Sequence, residues 1–333
     1  MSTVIRFLAL IVLVLLATSF TSTAQFVTQP TSDPNGFSLD NLELPISEIY
    51  PGGPARTGIV PLEKPTFEPA DCAQEFVSSE DYVIGIHYNG VTRAYPVKIM
   101  GYHEVVNDRV GEEEILVTYS PLTGSALAFE APKQNAAHAF GVSGLVYNNN
   151  SLLYDRATES LWSQLTGQAV SGEEAGRRMK QIPVTYTTWN HWAELHPETE
   201  VLSTDTGFKH TYDQSPYLAY GDDSKTMFPI SFKSRKLPTK SKVVGVEVKG
   251  EYKAYPFALL PKGEDQLMEE FFNGQLVRIK YYADSQSVYV MDEHGEVLPT
   301  VTTYWFAWYA FHPETQIYGF LPDIDPVAML EKE

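Results

Sequence analysis

Cysteine is nearly missing from this 333-residue chain, with Cys72 the single one. One thiol can close no intramolecular disulfide and build no thiolate cluster for zinc or iron–sulfur, so a large apolar core must supply the stability. Cys72 itself reads as buried or incidental rather than catalytic. Basic residues are scarce as well, 24 Lys and Arg against 42 Asp and Glu, a formal charge of −18. A surface of that sign repels phosphates, which excludes nucleic acid as a partner and argues against adsorption to anionic lipid. Long apolar runs are confined to the N-terminus. Phe7 to Ala17 (FLALIVLVLLA), with Arg6 before it and Ser22-Thr23-Ala24 after it, has the order of a signal peptide cleaved ahead of Gln25. The run is shorter than the roughly 20 residues of a spanning helix, and none follows it. The expectation is export to the periplasm or exterior, without a membrane span after cleavage. The chain also lacks G-x-S-x-G, S-x-x-K, H-x-H, H-x-x-H and H-E-x-x-H frames.

What is present is globular: 43% hydrophobic residues, 13% of the chain aromatic, enough for a sizeable core. After the signal peptide (1–24), residues 25–80 are rich in Pro, Gly, Ser and Thr and read as an extended arm lying on the body. Leu42 to Ile49 is a short apolar anchor within it. Tyr82 to Tyr95 alternates β-branched and aromatic residues around Asn89-Gly90, the signature of a hairpin with a type I′ turn. Pro96 then opens a short helix, Val97 to Gly101. Strands are expected over His103–Asn107 and Ile115–Ser120, joined by an acidic turn, Asp108 to Glu114. Thr123-Gly124 turns the chain back into Ser125–Phe129. Phe140 to Arg156 reads as another hairpin around Asn148-Asn149-Asn150. Two helical turns are expected over Glu159–Leu165, a strand over Arg177–Tyr186, and a Thr188-capped helix over Trp189–Leu195 that His196-Pro197 ends. Residues 206–242 form a long ordered connecting loop.

An internal repeat is visible. Val243-Val244-Gly245-Val246, Gly250 and Ala254-Tyr255-Pro256 repeat Val83-Ile84-Gly85-Ile86, Gly90 and Ala94-Tyr95-Pro96 at an offset of 160 residues. Thr303, Trp305, Trp308 and His312-Pro313-Glu314-Thr315 repeat Thr187, Trp189, Trp192 and His196-Pro197-Glu198-Thr199 at an offset of 116. The fold class is therefore α+β and β-rich, antiparallel strands with short helices, in two unequal, internally related halves. Residues 81–205 form the first repeat, 243–320 a shorter second one, and 321–333 a tail. The shorter copy has no counterpart of SPLTG, FGVSGLVYN or YDRATESLWSQLTG. Material present once is better placed to carry function than a scaffold present twice, so the site belongs in the first half.

Chemistry concentrates between Tyr102 and Phe129. His103 and Glu104 lie one hairpin from Ser120, in the turn Ser120-Pro121-Leu122-Thr123-Gly124. If Asn107 faces Ile115, His103 falls opposite Tyr119 or Ser120, and a one-residue slip exchanges His103 for Glu104. A base beside Ser120, oriented by Asp108 or Asp155, would make a serine nucleophile, with turn amides for an oxyanion. A metal reading uses His103 and Glu104 with a distant ligand such as His138 or His210, and a transition metal as cofactor. A second unrepeated cluster comprises Asp155, Arg156, Ser160, Trp162 and Gln164; with Thr123 it could line a ligand pocket in which Arg156 holds an anion. Trp189, Trp192, Trp305 and Trp308 stand at i, i+3 spacing and belong to the core.

These pieces resemble a known family, bacterial exported proteins carrying the domain of unknown function DUF3179. The resemblance rests on Ala94-Tyr95-Pro96, His103 to Asp108, Thr118 to Gly124, Phe140 to Leu145 and Tyr154-Asp155-Arg156 through Ser160-Leu161-Trp162 to Gly167. It continues through Thr188-Trp189, His196-Pro197 and Tyr217 to Pro229. The family usually carries Trp where this chain has Tyr102 and Cys where it has Ser120, so thiolate chemistry is lost here. Three functions remain open: a small-ligand- or metal-binding envelope protein, a hydrolase or transferase using Ser120 with His103, and a structural envelope protein without a site.

Overall fold

The structure, a computed structural model, describes residues 34–132, 139–217, 220–221, 223–262 and 267–320. The expected signal peptide (1–24), His138 and the tail 321–333 lie outside these residues. The arm supplies β1 (Ile49–Pro51), β2 (Phe67–Pro69) and the one-turn α1 (Ala70–Ala73). Then follow β3 (Tyr82–Tyr88), β4 (Val91–Pro96), α2 (Val97–His103), β5 (Val105–Val110), β6 (Glu113–Ser120) and β7 (Ser125–Glu130). Next come β8 (Phe140–Tyr147), β9 (Asn150–Asp155), β10 (Leu161–Ser163), β11 (Gln181–Ile182), β12 (Thr185–Thr188), α3 (Trp189–Leu195) and β13 (Glu200–Leu202). Beyond the connecting loop lie β14 (Lys242–Val248), β15 (Glu251–Pro256), β16 (Leu267–Phe272), β17 (Gln275–Tyr282) and β18 (Ser287–Met291). The last elements are β19 (Thr300–Tyr304), α4 (Trp305–Phe311) and β20 (Gln316–Ile317). Strand at 40% against 12% helix makes this a β-rich α+β fold.

Four sheets result. One runs β12-β3-β4-β13-β2, another β20-β15-β14-β19-β7-β6-β5 with β11 on β7, a third β1-β8-β9-β10, and the last β16-β17-β18. The arm lies on the body: β1 pairs with β8, β2 with β13, and Leu62 exchanges backbone bonds with Val105 and Asn107. Registers match at the offsets seen in the sequence. Gly85 faces Ala94 as Gly245 faces Ala254, Thr187 faces Val83 as Thr303 faces Val243, and Val201 meets Ala94 in parallel as Ile317 meets Ala254. From this matching we infer that residues 81–205 and 243–320 are related halves. The pattern extends to side chains. Trp192 and Trp308 are buried, lie flat on Gly85 and Gly245, and donate their indole N–H to Thr199 and Thr315.

Asn89 and Gly90 both adopt positive φ, 48° and 76°, as a type I′ turn requires, and Asn148-Asn149 do the same at 52° and 64°. Elsewhere the chain departs from expectation. Helix α2 continues to His103, so β5 starts at Val105 and the hairpin register pairs Asn107 with Leu116 instead of Ile115. The acidic turn shrinks to Gly111-Glu112, because Asp108 and Val110 are buried and hold their stretch in the sheet. Glu159–Leu165 is no helix. Two isolated turns cannot pay the nucleation cost, whereas Leu161–Ser163 pairs with β9 and buries Trp162. Arg177–Tyr186 contains only β11 and the start of β12. Thr188 occupies the N-cap of α3 without a side-chain bond; the amides of Trp189 and Asn190 donate to the carbonyls of Asp81 and Ser79 instead. Cys72 is exposed, not buried. The four repeat tryptophans are all buried, as the spacing implies.

Candidate functional site

Glu104 is where local backbone and site meet. Its amide closes α2 on the Met100 carbonyl, and the residue itself sits in the left-handed region at φ 57°. A non-glycine residue pays on the order of 1 kcal/mol there, so its surroundings hold it in place. Its own carbonyl accepts the Tyr119 amide, and its carboxylate Oε2 accepts the Ser151 hydroxyl at 2.8 Å. Burial pushes this carboxyl from 4.5 up to about 7, against the opposing hydrogen bonds from Ser151 and Tyr217. Glu104 therefore changes protonation near neutrality, inside the protein.

Ser120 lies beside it and is fully buried. Among the described residues its side-chain hydrogen bonds are with Ser151, whose amide donates to Ser120 Oγ and whose Oγ lies 3.3 Å from it. Glu104, Ser151 and Ser120 thus form a chain from the helix end through the unrepeated β9 to the SPLTG turn. Adjoining it is a closed polar network. Asn150 donates to Gln164 Oε1 (2.7 Å) and Thr123 Oγ1 (3.1 Å), Ser125 donates to the same Gln164 oxygen, and Gln164 Nε2 donates to Thr118 Oγ1. Such a fully partnered network specifies how β8–β10 sit on β6 and β7. The Thr123 amide donates to the Ser120 carbonyl, so it is not free to hold an oxyanion.

His103 is turned elsewhere. Its Nδ1 donates to the Val60 carbonyl at 2.7 Å, and Nε2 accepts from the Tyr212 hydroxyl at 2.7 Å. Burial pushes the imidazole below its ordinary value. The structure therefore couples Ser120 to Glu104 through Ser151 and does not bring His103 to Ser120. The cause is the helical conformation of His103, which the strand reading did not allow for. Both His103 nitrogens are engaged, the His210 ring stands 5.4 Å away edge-on, and among the described residues no three His, Cys, Asp or Glu side chains gather to hold a metal.

Asp155, Ser160 and Trp162 form a separate structural cluster. Asp155 accepts the Trp162 indole N–H (2.9 Å) and both the amide and hydroxyl of Thr158, and Ser160 Oγ lies 2.7 Å from Thr158 Oγ1. Arg156 points away from them and pairs with Glu63 of the arm at a partly exposed position. Arg156→Ala should consequently lower stability by less than about 1 kcal/mol in urea titration.

A cleft of about 310 Å³ is lined by Tyr82, Lys98, Tyr119, Tyr217, Tyr220 and Tyr304. Lys98 is held at its edge by Asp81 and Asp213. Tyr217 lines the cleft, and its hydroxyl hydrogen-bonds to Glu104, so one ring separates the open space from the buried carboxyl. Ser151, Asn150 and Tyr217 are absent from the set named by sequence reasoning. The polar run Asn148 to Ser151, inside the unrepeated part, was the available signal for Asn150 and Ser151, and the family-like stretch from Tyr217 to Pro229 was the one for Tyr217.

The chain is thus a β-rich protein with a buried carboxyl behind a tyrosine-lined cleft, and among its described residues no helix is long and apolar enough to cross a membrane. It belongs to the DUF3179 family: the model described as "Protein of unknown function (DUF3179)" matches residues 56–315. No curated protein and no solved structure matches the chain.

Proposed function

We propose that this is an exported, small-ligand-binding protein of the cell envelope, with the tyrosine-lined cleft as its binding site and Glu104 as the buried recognition group. The observation that carries the reading is the double role of Tyr217, cleft wall on one side and hydrogen-bond partner of Glu104 on the other. A ligand that displaces the Tyr217 hydroxyl inherits a carboxyl able to donate or accept at neutral pH. That favours a neutral hydroxyl or amide over a charged group, while the five tyrosine rings favour a molecule with a flat face. Export rests on Arg6, the run Phe7 to Ala17 and the small residues up to Ala24.

Crystals of the mature chain soaked with small hydroxylated and aromatic fragments should show density between Tyr119, Tyr217 and Tyr304. A library that binds elsewhere yet leaves this cleft bare would sink the binding reading. N-terminal sequencing of the exported chain should begin at Gln25; a mature protein still carrying Phe7 to Ala17 would overturn the cleavage assignment.

A further inference from the structure

Lys242, the first residue of β14, occupies an unusual place for a cation. It is half-buried, and among the described residues its Nζ finds one hydrogen-bond acceptor, Gln286 Oε1 at 3.2 Å, which also accepts from the Tyr82 hydroxyl at 3.0 Å. The remaining surroundings are the rings of Tyr82 and Tyr186, with centroids 4.4 and 5.5 Å from Nζ and stacked 4.9 Å apart. Both phenols are pushed upward by burial and stay neutral. Among the described residues no carboxylate pairs with Lys242, whereas Lys98 has Asp81 and Asp213 and Lys253 has Glu270. Ring faces and one amide oxygen leave an ammonium short of counter-charge in a low-dielectric seam. Burial accordingly pushes the amine down to about 8. The side chain retains partial exposure, so a small reagent can reach it.

We propose that Lys242 is a nucleophilic lysine that captures a small aldehyde or ketone as an imine. The amine lone pair attacks the carbonyl carbon, a C=N bond replaces C=O, and the oxygen leaves as water with the two amine protons. Tyr82 also lines the cleft, which puts the amine behind one ring of that wall. The assignment nevertheless stands independently of ligand binding beside Glu104.

Limiting formaldehyde with sodium cyanoborohydride methylates lysines through the imine, and peptide mass spectrometry of the full mature chain reads each site. At pH 7.5 Lys242 should react roughly tenfold faster than the exposed Lys233 and Lys249, because an amine near 8 is far more often neutral than an ordinary lysine near 10.4. Its rate should climb through pH 8 and then level off. Gln286→Glu, which sets a carboxylate against the ammonium, should bring the Lys242 rate down toward that of the two exposed lysines. Labelling of Lys242 no faster than Lys233 and Lys249, or an unchanged rate in Gln286→Glu, overturns the proposal.

Discussion

Glu104→Gln is expected to stabilise the protein by about 3 kcal/mol at pH 8 while giving no gain at pH 4. The reason is the distance between 4.5, the ordinary value of this carboxyl, and about 7, its value in the buried site. Below pH 4.5 the group is protonated in folded and unfolded chains alike, and nothing is lost. Between 4.5 and 7 the unfolded chain releases the proton but the folded one keeps it, so stability falls as pH rises. Above 7 the fold carries a buried carboxylate and the loss is complete. Glutamine keeps an oxygen to accept from Ser151 and never ionises. Guanidinium titrations of both proteins from pH 4 to 8 measure the difference directly. Two parallel profiles would show that Glu104 is not the neutral buried acid described above.

Gly85→Ala and Gly245→Ala should each destabilise the fold by about 3 kcal/mol, enough to shift a denaturation midpoint plainly. A Cβ at Gly85 would stand 2.3 Å from Trp192, and one at Gly245 would stand 2.2 Å from Trp308. Neither indole can give way cheaply, since each is buried and tied by its N–H to a threonine, Thr199 or Thr315. A loss below about 1 kcal/mol in either variant would show that the ring can slide, contrary to the packing seen here.

These two positions also show how much of the fold was legible. Gly85, Trp192 and the His-Pro-Glu-Thr run recur with Gly245, Trp308 and their own run, and repetition made the scaffold readable before its packing was known. Hairpins were legible for a local reason, since Asn89-Gly90 and Asn148-Asn149 relieve the strain of positive φ. The end of α2 was not. Whether His103 is the last helical residue or the first strand residue depends on Glu104 adopting φ 57°, and that is decided by Ser151 and Tyr119. Glu104, Ser120 and Thr123 were named from sequence and do lie together. Gln164, named beside Thr123, joins them, whereas Asn150, Ser151 and Tyr217 come from strands and loops whose meeting no local pattern records. Glu159–Leu165 failed for the same reason, its strand existing only because β9 is beside it.

The Thr123 carbonyl accepts the Thr303 hydroxyl and the Tyr304 amide, groups that enter the chain about 180 residues later. The bend carrying Ser120 therefore cannot be clamped while the C-terminal part is still being made. Assembly of the carboxyl–hydroxyl pocket is thus postponed until synthesis is nearly finished, and its closure is a late, long-range event in folding.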